Sequence, residues 1–417
     1  MYCFFSVAWA ASLPAFPARD AVIHSVLADP AAGIAAAGSA LAEAGRLRGE
    51  ATLAPVLLSA EWAPFAHHGV AVDARASWML PGARMRRSAQ EAAAGADRMA
   101  GLDSAMAEVQ LAARTSLTFD EAWTVLHAVH VLDHHGETVA EAAASVARRV
   151  GAGLLRADQR VMAEMEGVLV AEERLVWAGR ARRAAADLVA VGGANGHAAD
   201  LGVLLEAAAV RLEGGAEAWS VGVPADPGPV LVGARAAEPL PVAAAQADAA
   251  MAAGMAEMAR AEGRPMAGLM AGASSMWEDP GMAVMVGVEV EVPLDAAANA
   301  ARRAGAEARV RAAAASEARS RAESRGEEAR AEAMVHEAER MELVMQERMA
   351  PLAAERARLA RLAFETGAGT LESWLLAERD LAHARLRQME LRAERRSAEA
   401  MLAMARGQRA GIPSEAE

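Results

Sequence analysis

The chain of 417 residues has one cysteine, Cys3. That excludes an intramolecular disulfide framework and a cysteine-built zinc site. Aromatics are scarce, with one Tyr, six Phe and eight Trp. No stretch reaches the roughly 18 consecutive apolar residues of a transmembrane helix. Positive charge is short: 42 Lys and Arg face 55 Asp and Glu, for a formal net charge of −13, and no nucleic-acid partner is expected without a basic face. Catalytic signatures are missing too, with no G-x-S-x-G, no G-x-x-x-x-G-K-[ST] and no H-E-x-x-H. The glycine-rich Val191–Gly196 follows a helical stretch instead of joining a strand to a helix, so it does not fit a dinucleotide cradle. No cofactor is implied, and the chain does not read as an enzyme.

What is present is alanine. The hydrophobic fraction is 54% with only 4% aromatic, a composition suited to long, closely packed helices. Residues 1–18 are apolar and uncharged, with Ala8 and Ala10 forming an A-x-A site, and read as a secretory leader. The landmarks Pro30, Pro55, Pro81 and Gly151-Ala152-Gly153 return in the same order at Pro241, Pro265, Pro293 and Gly367-Ala368-Gly369, roughly 210 residues on. The expected organisation is a first repeat over 19–191, a linker at 192–236, a second repeat over 237–407 and a tail at 408–417. Each repeat reads as an alanine-rich helix (30–52, 241–263), a β-hairpin (55–81, 265–293), a long helix (83–149, 295–365), a glycine turn and a further helix (154–191, 370–406). The linker carries VGGANG, EGG and PADPGP and shows little regular periodicity.

The hairpins alternate. Val284, Val286, Val288, Val290 and Val292 fall on one face, with Met285, Gly287, Glu289 and Glu291 on the other, the period-two signature of a strand. Val70, Val72, Ala74, Ala76, Trp78 and Leu80 oppose Asp73, Arg75 and Ser77 in the same way. Two readings fit: a sheet with one face on a soluble core, or a membrane barrel with its apolar face on lipid. Trp62, Phe65, Trp78 and Trp277 cluster in these hairpins, as interface aromatics do. Four strands cannot close a barrel, so the second reading requires several copies. The long helices would each span roughly 100 Å at 1.5 Å per residue and pair as coiled coils, with Pro351 kinking or reshaping the second.

These features resemble the TolC family of outer-membrane efflux proteins. The element order matches, and Phe364-Glu365-Thr366-Gly367 followed by Leu375-Leu376-Ala377-Glu378 resembles the family's periplasmic tip segment; Arg264–Leu294 resembles its second hairpin. The resemblance covers about 30–407 and rests on order and spacing, since Val150-Gly151-Ala152-Gly153 lacks the aromatic. It implies a mainly α fold with β: a long antiparallel helical barrel, and four strands per protomer in a trimeric twelve-stranded barrel. It further implies a homotrimer in the outer membrane lipid with a large periplasmic part, a periplasmic adaptor, an inner-membrane pump of RND or ABC type, and passive exit of drugs or metal ions. Carried over by position, the tip residues that meet the adaptor are Gly151, Gly153, Phe364, Gly367 and Gly369, with Glu372 the nearest acid. The competing reading is a structural periplasmic coiled-coil protein without a barrel. Separately, His127, His130 and His134 share a helix face and form a candidate transition-metal site, beside Asp133, His135 and Glu137.

Overall fold

The computed structural model describes residues 14–27, 38, 41–48, 56–65, 69–80, 82–191, 196–214, 221–222, 224–227, 230, 238–276, 279–292 and 295–408; within the strands, side chains are described for 74–77, 266–273 and 284–290. In chain order the elements are α1 (Arg19–Leu27), β1 (Val56–Phe65), β2 (Gly69–Leu80), α2 (Ala83–Gly151), α3 (Ala157–Ala190), α4 (Gly196–Leu212), α5 (Leu240–Glu262), β3 (Met266–Met276), β4 (Asp279–Glu291), α6 (Ala296–Val344), a π-helical turn (Met345–Met349), α7 (Ala350–Glu365) and α8 (Leu371–Ala405). Residues 41–48 are also helical. Pro30, Pro55, Pro81, Pro293, Trp277 and the A-x-A site lie outside the described residues. No helix among the described residues is long and apolar enough to cross a membrane.

Alanine and the long unbranched side chains sustain α2 through 69 residues without a break, as their helix propensities allow. The stretch expected as one helix over 295–365 is interrupted by five π-helical residues, MQERM, just ahead of Pro351. Proline has no N–H to donate and its ring crowds the carbonyl four residues back. A π turn accommodates both while the helix continues. Asp295 accepts from the Ala298 amide at 2.9 Å at the start of α6, and Thr370 accepts from Ser373 at the start of α8. Two helices depart from the sequence reading. α1 was not anticipated, and α4 replaces much of the expected linker. In α4, Leu201, Leu204, Leu205, Ala208, Ala209 and Leu212 are buried, one face of a 3.6-residue period.

The chain divides into two compact units that do not coincide with the expected halves. One takes 1–30, 108–237 and 326–417; the other takes 31–107 and 238–325. A 69-residue helix cannot bury its length in one cluster, so successive stretches of α2 belong to different units. The first unit has a core of Phe119, Trp123, Leu126 and Leu132 from α2, Leu188 from α3, Leu201 and Leu205 from α4 and Val22 from α1. Phe16, inside the segment read as a leader, lies 5.2 Å from the Phe119 ring. The second unit holds the sheet and the contact of α5 with the start of α2. There a Cβ on Gly254 would stand 2.8 Å from the Ala92 amide nitrogen, and one on Gly95 would stand 2.9 Å from that of Met251. Glycine at both positions lets the two backbones approach.

Candidate functional site: an open sheet and two glycine turns

In the second unit the four strands form one antiparallel sheet in the order β1-β2-β3-β4. Opposed residues share a face and neighbours along a strand alternate. Leu58, Ala76, Ala271 and Val286 form one cross-strand row, with Ala60, Ala74, Ala273 and Val284 beside it and Val56, Trp78, Leu269 and Val288 on the other side. The opposite face carries Ser59, Arg75, Gly272 and Met285, then Glu61, Asp73, Ser274 and Ala283. Apart from Ser275, one face is therefore apolar by register and the other mixed and charged. The pairing of β2 with β3 puts both hairpins' apolar residues on the same side. Leu269 and Val284, Val286, Val288, Val290 and Val292 are 52–79% exposed, so no core of the chain covers these residues. An apolar patch of this kind marks an interaction surface. Among the described residues, β1 and β4 each pair with one strand only, leaving two open edges.

Of the four aromatics read as interface residues, Trp62 and Trp78 occupy the apolar rows by register. Phe65 falls in the set of Glu61 and Ala63 instead, because it stands an odd number of residues from Trp62. The side chains of Trp62, Phe65 and Trp78, and the whole of Trp277, lie outside the described residues.

In the first unit the two glycine turns have the same hydrogen-bond pattern. Leu154 N–H donates to Arg149 C=O at 2.8 Å and Gly153 N–H to Val150 C=O at 3.0 Å; Ala368 N–H donates to Ala363 C=O at 2.8 Å and Gly367 N–H to Phe364 C=O at 3.2 Å. These are Schellman closures, which place a left-handed residue just past the helix. Gly153 has φ 69° and Gly367 φ 79°. Gly369 serves a different need, since a Cβ there would meet the Ala363 Cβ at 2.8 Å. Behind the turns, Phe364 stacks on Trp374 with centroids 5.1 Å apart, in a buried cluster with Val146, Ala163, Leu371 and Leu375. Arg149 lies over Phe364 at 5.1 Å, and the Trp374 indole N–H donates to Glu378 at 3.0 Å. Gly151, Gly153, Gly367 and Glu372 are exposed, whereas Phe364 is buried. Phe364 therefore supports the turn from beneath, and Glu372 sits in the first turn of α8, where a carboxylate meets the positive helix end.

The histidines do not assemble as a metal site: among the described residues no group of three or more His, Cys, Asp or Glu is placed to hold a metal ion. The shared stripe of α2 runs from the core to the surface. His127 lies against Trp123, ring centroids 4.2 Å apart, its Nδ1 buried without a hydrogen-bond partner. Burial pushes its pKa down to about 4. Burial also lowers His130, opposed by a backbone hydrogen bond at Gly222 and by Asp133, while His134 is exposed. Asp133 instead accepts from Arg174 at 2.8 Å and Arg211 at 3.0 Å, joining α2 to α3 and α4. His135 is buried 3.9 Å from Glu166, and burial holds its pKa at about 4 despite that carboxylate.

A buried ionic cluster went unread in the sequence. Arg396 of α8 donates to Asp120 of α2 at 2.7 Å and lies 4.2 Å from the Trp123 ring. Arg19 of α1 reaches the same carboxylate oxygen, and all three charged residues are buried. Nothing in local sequence announces a pair 276 residues apart.

No protein-family model and no curated protein matches the sequence. Solved structures do match. A membrane protein from Pseudomonas aeruginosa is 16% identical with a TM-score of 0.71, over 97% of this chain and 99% of that one. The outer membrane protein VceC from the bacterial pathogen Vibrio cholerae is 15% identical with a TM-score of 0.73, over 93% and 96%. The open-state MtrE outer membrane channel of Neisseria gonorrhoeae is 17% identical with a TM-score of 0.66, over 94% and 89%. The chain has the fold of these membrane proteins, an outer membrane channel among them, and its resemblance to the TolC type holds at the level of fold.

Proposed function

We propose that the chain is the outer-membrane exit duct of a tripartite export system. Three copies each contribute β1–β4 to a twelve-stranded barrel, and their helices line a periplasmic tunnel. The observation that carries this reading is the sheet. It leaves the valines of β4 and Leu269 of β3 exposed, keeps its charged residues on the opposite face, and among the described residues ends in two open edges. In lipid such edges must be closed, and neighbouring copies close them. The tandem order of hairpin, long helix and glycine turn supplies the rest of each protomer. Flow is passive, with an inner-membrane pump of RND or ABC type supplying energy and drugs or metal ions as cargo. The exposed turns at Gly151–Gly153 and Gly367–Gly369, with Glu372, are the adaptor-docking end, and Trp62, Trp78 and Trp277 border the lipid, whereas Phe65 falls on the face of Glu61.

The test is membrane partition and conductance. The protein is expected in the outer-membrane fraction, to migrate differently on gels before and after boiling, to be trimeric in detergent, and to conduct in planar bilayers. A chain recovered in the periplasm, monomeric without detergent and silent in bilayers, overturns the duct in favour of a periplasmic coiled-coil protein.

A further inference from the structure

A cavity of about 520 Å³ opens inside the first unit, where α2, α6 and α8 meet beside Arg180 of α3. Each of the three long helices gives it one stripe. α2 presents Leu117, Asp120, Glu121 and Thr124. α6 presents Met334, Glu337, Ala338 and Met341, and α8 continues from Arg387 to Met401. The steps are of three and four residues, so each stripe is a single helix face. A space of this volume suits a small organic molecule.

The wall is short of positive charge. Its two bases, Arg180 and Arg387, are both committed. Arg180 grips Glu121 with two nitrogens at 2.9 and 3.1 Å and donates to Glu390 at 2.8 Å. Arg387 donates to Glu394 at 2.7 Å. Those three carboxylates already outnumber the guanidiniums, and Glu337 adds a fourth that pairs with no base among the described residues. Asp120 is also in the wall and 1% exposed. One of its oxygens accepts from Arg19 and Arg396; the other is buried without a hydrogen-bond partner. Burial raises its pKa although both arginines oppose the rise, so that charge is incompletely compensated.

The apolar part of the lining is led by Met334, Met341 and Met401, whose unbranched thioether side chains adapt to varied shapes. No group of three or more His, Cys, Asp or Glu among the described residues is placed to hold a metal ion, which sets this lining apart from a metal site. We infer that the cavity binds an amphipathic organic cation, a single positive centre on an apolar body. Glu337 and Asp120 answer the charge and the methionines cover the body. The binding does not depend on the three-copy duct proposed above, because one chain supplies all of these residues.

Tetraphenylphosphonium is the probe and neutral triphenylphosphine oxide its control, applied to the full chain in detergent with Cys3→Ser as background. Met334→Cys places a thiol in the wall; Leu343→Cys, on the same helix and 53% exposed, lies outside it. The cation is expected to slow maleimide labelling of Met334→Cys saturably and to leave Leu343→Cys unchanged, while the oxide slows neither. In equilibrium dialysis, Glu337→Gln weakens binding of the cation by about two- to fivefold, and Glu337→Lys weakens it further. Protection of neither thiol, or of both alike, overturns the site, as does equal protection by the oxide or binding indifferent to Glu337→Lys. A trimer that conducts while Met334→Cys stays unprotected removes the site and leaves the duct standing.

Discussion

Asp120 shows how much one side chain holds in the first unit. Its carboxylate lies between two buried guanidiniums, Arg19 and Arg396, that come from opposite ends of the chain. Removing one member of such a cluster strands the others uncompensated, which costs about 3–5 kcal/mol. Asp120→Asn is therefore expected to lower the denaturant midpoint by the equivalent of that loss. A midpoint shift under 1 kcal/mol would show that water already compensates the two arginines. Gly367 is held for a different reason, its positive φ. Gly367→Ala forces a left-handed alanine and is expected to cost about 1–2 kcal/mol, read by the same denaturation. Gly151→Ala, at a helical position with open space around its Cβ, is the neutral comparison.

Among the elements, the junction of α2, α3 and α8 is pH-sensitive. His135 of α2 faces Glu166 of α3, with Arg379 and His383 of α8 and its neighbour His134 nearby. Its folded pKa, about 4, lies below the ordinary 6.5. The unfolded chain therefore binds the extra proton between these values, and stability is full above about pH 6.5 and falls as pH drops toward 4. The loss approaches an order of 3 kcal/mol at the acid end. His135→Gln should flatten the decline in melting temperature between pH 6.5 and 4.5; an unchanged slope would place the titration elsewhere. The close approach of α5 to α2 is a packing counterpart. Gly254→Leu inserts a side chain where a Cβ already meets backbone and is expected to cost about 1–3 kcal/mol by overpacking, seen as a lowered melting temperature.

For the whole molecule, the proposed duct turns on which face of the sheet would meet lipid. Val286→Arg puts a charge on the apolar face and is expected to cost about 2–4 kcal/mol in a bilayer, depleting the outer-membrane trimer. Glu289→Arg, on the opposite face, should leave the trimer level unchanged and alter ion selectivity instead. Equal tolerance of both variants would remove lipid from the apolar face. That face was legible because alternation is a local property: Val284 through Val292 show it in nine residues. α4 was equally legible, since its leucines and alanines repeat with the helical period, but the glycine clusters on either side obscured it. The histidines misled for the converse reason: spacing puts residues on one stripe, yet burial along that stripe separated His127 from His134.

Local chemistry in the sequence determined the elements: alanine sustained the helices, alternating valine made the strands, glycine closed the turns and Pro351 marked the break. Each is set by interactions within a few residues. Tertiary structure alone decided that β2 pairs with β3 in the register that unites two apolar faces. It alone joined Arg19, Asp120 and Arg396, and it alone brought faces of α2, α6 and α8 around one cavity. Those outcomes depend on contacts between distant segments, whose geometry no local pattern encodes.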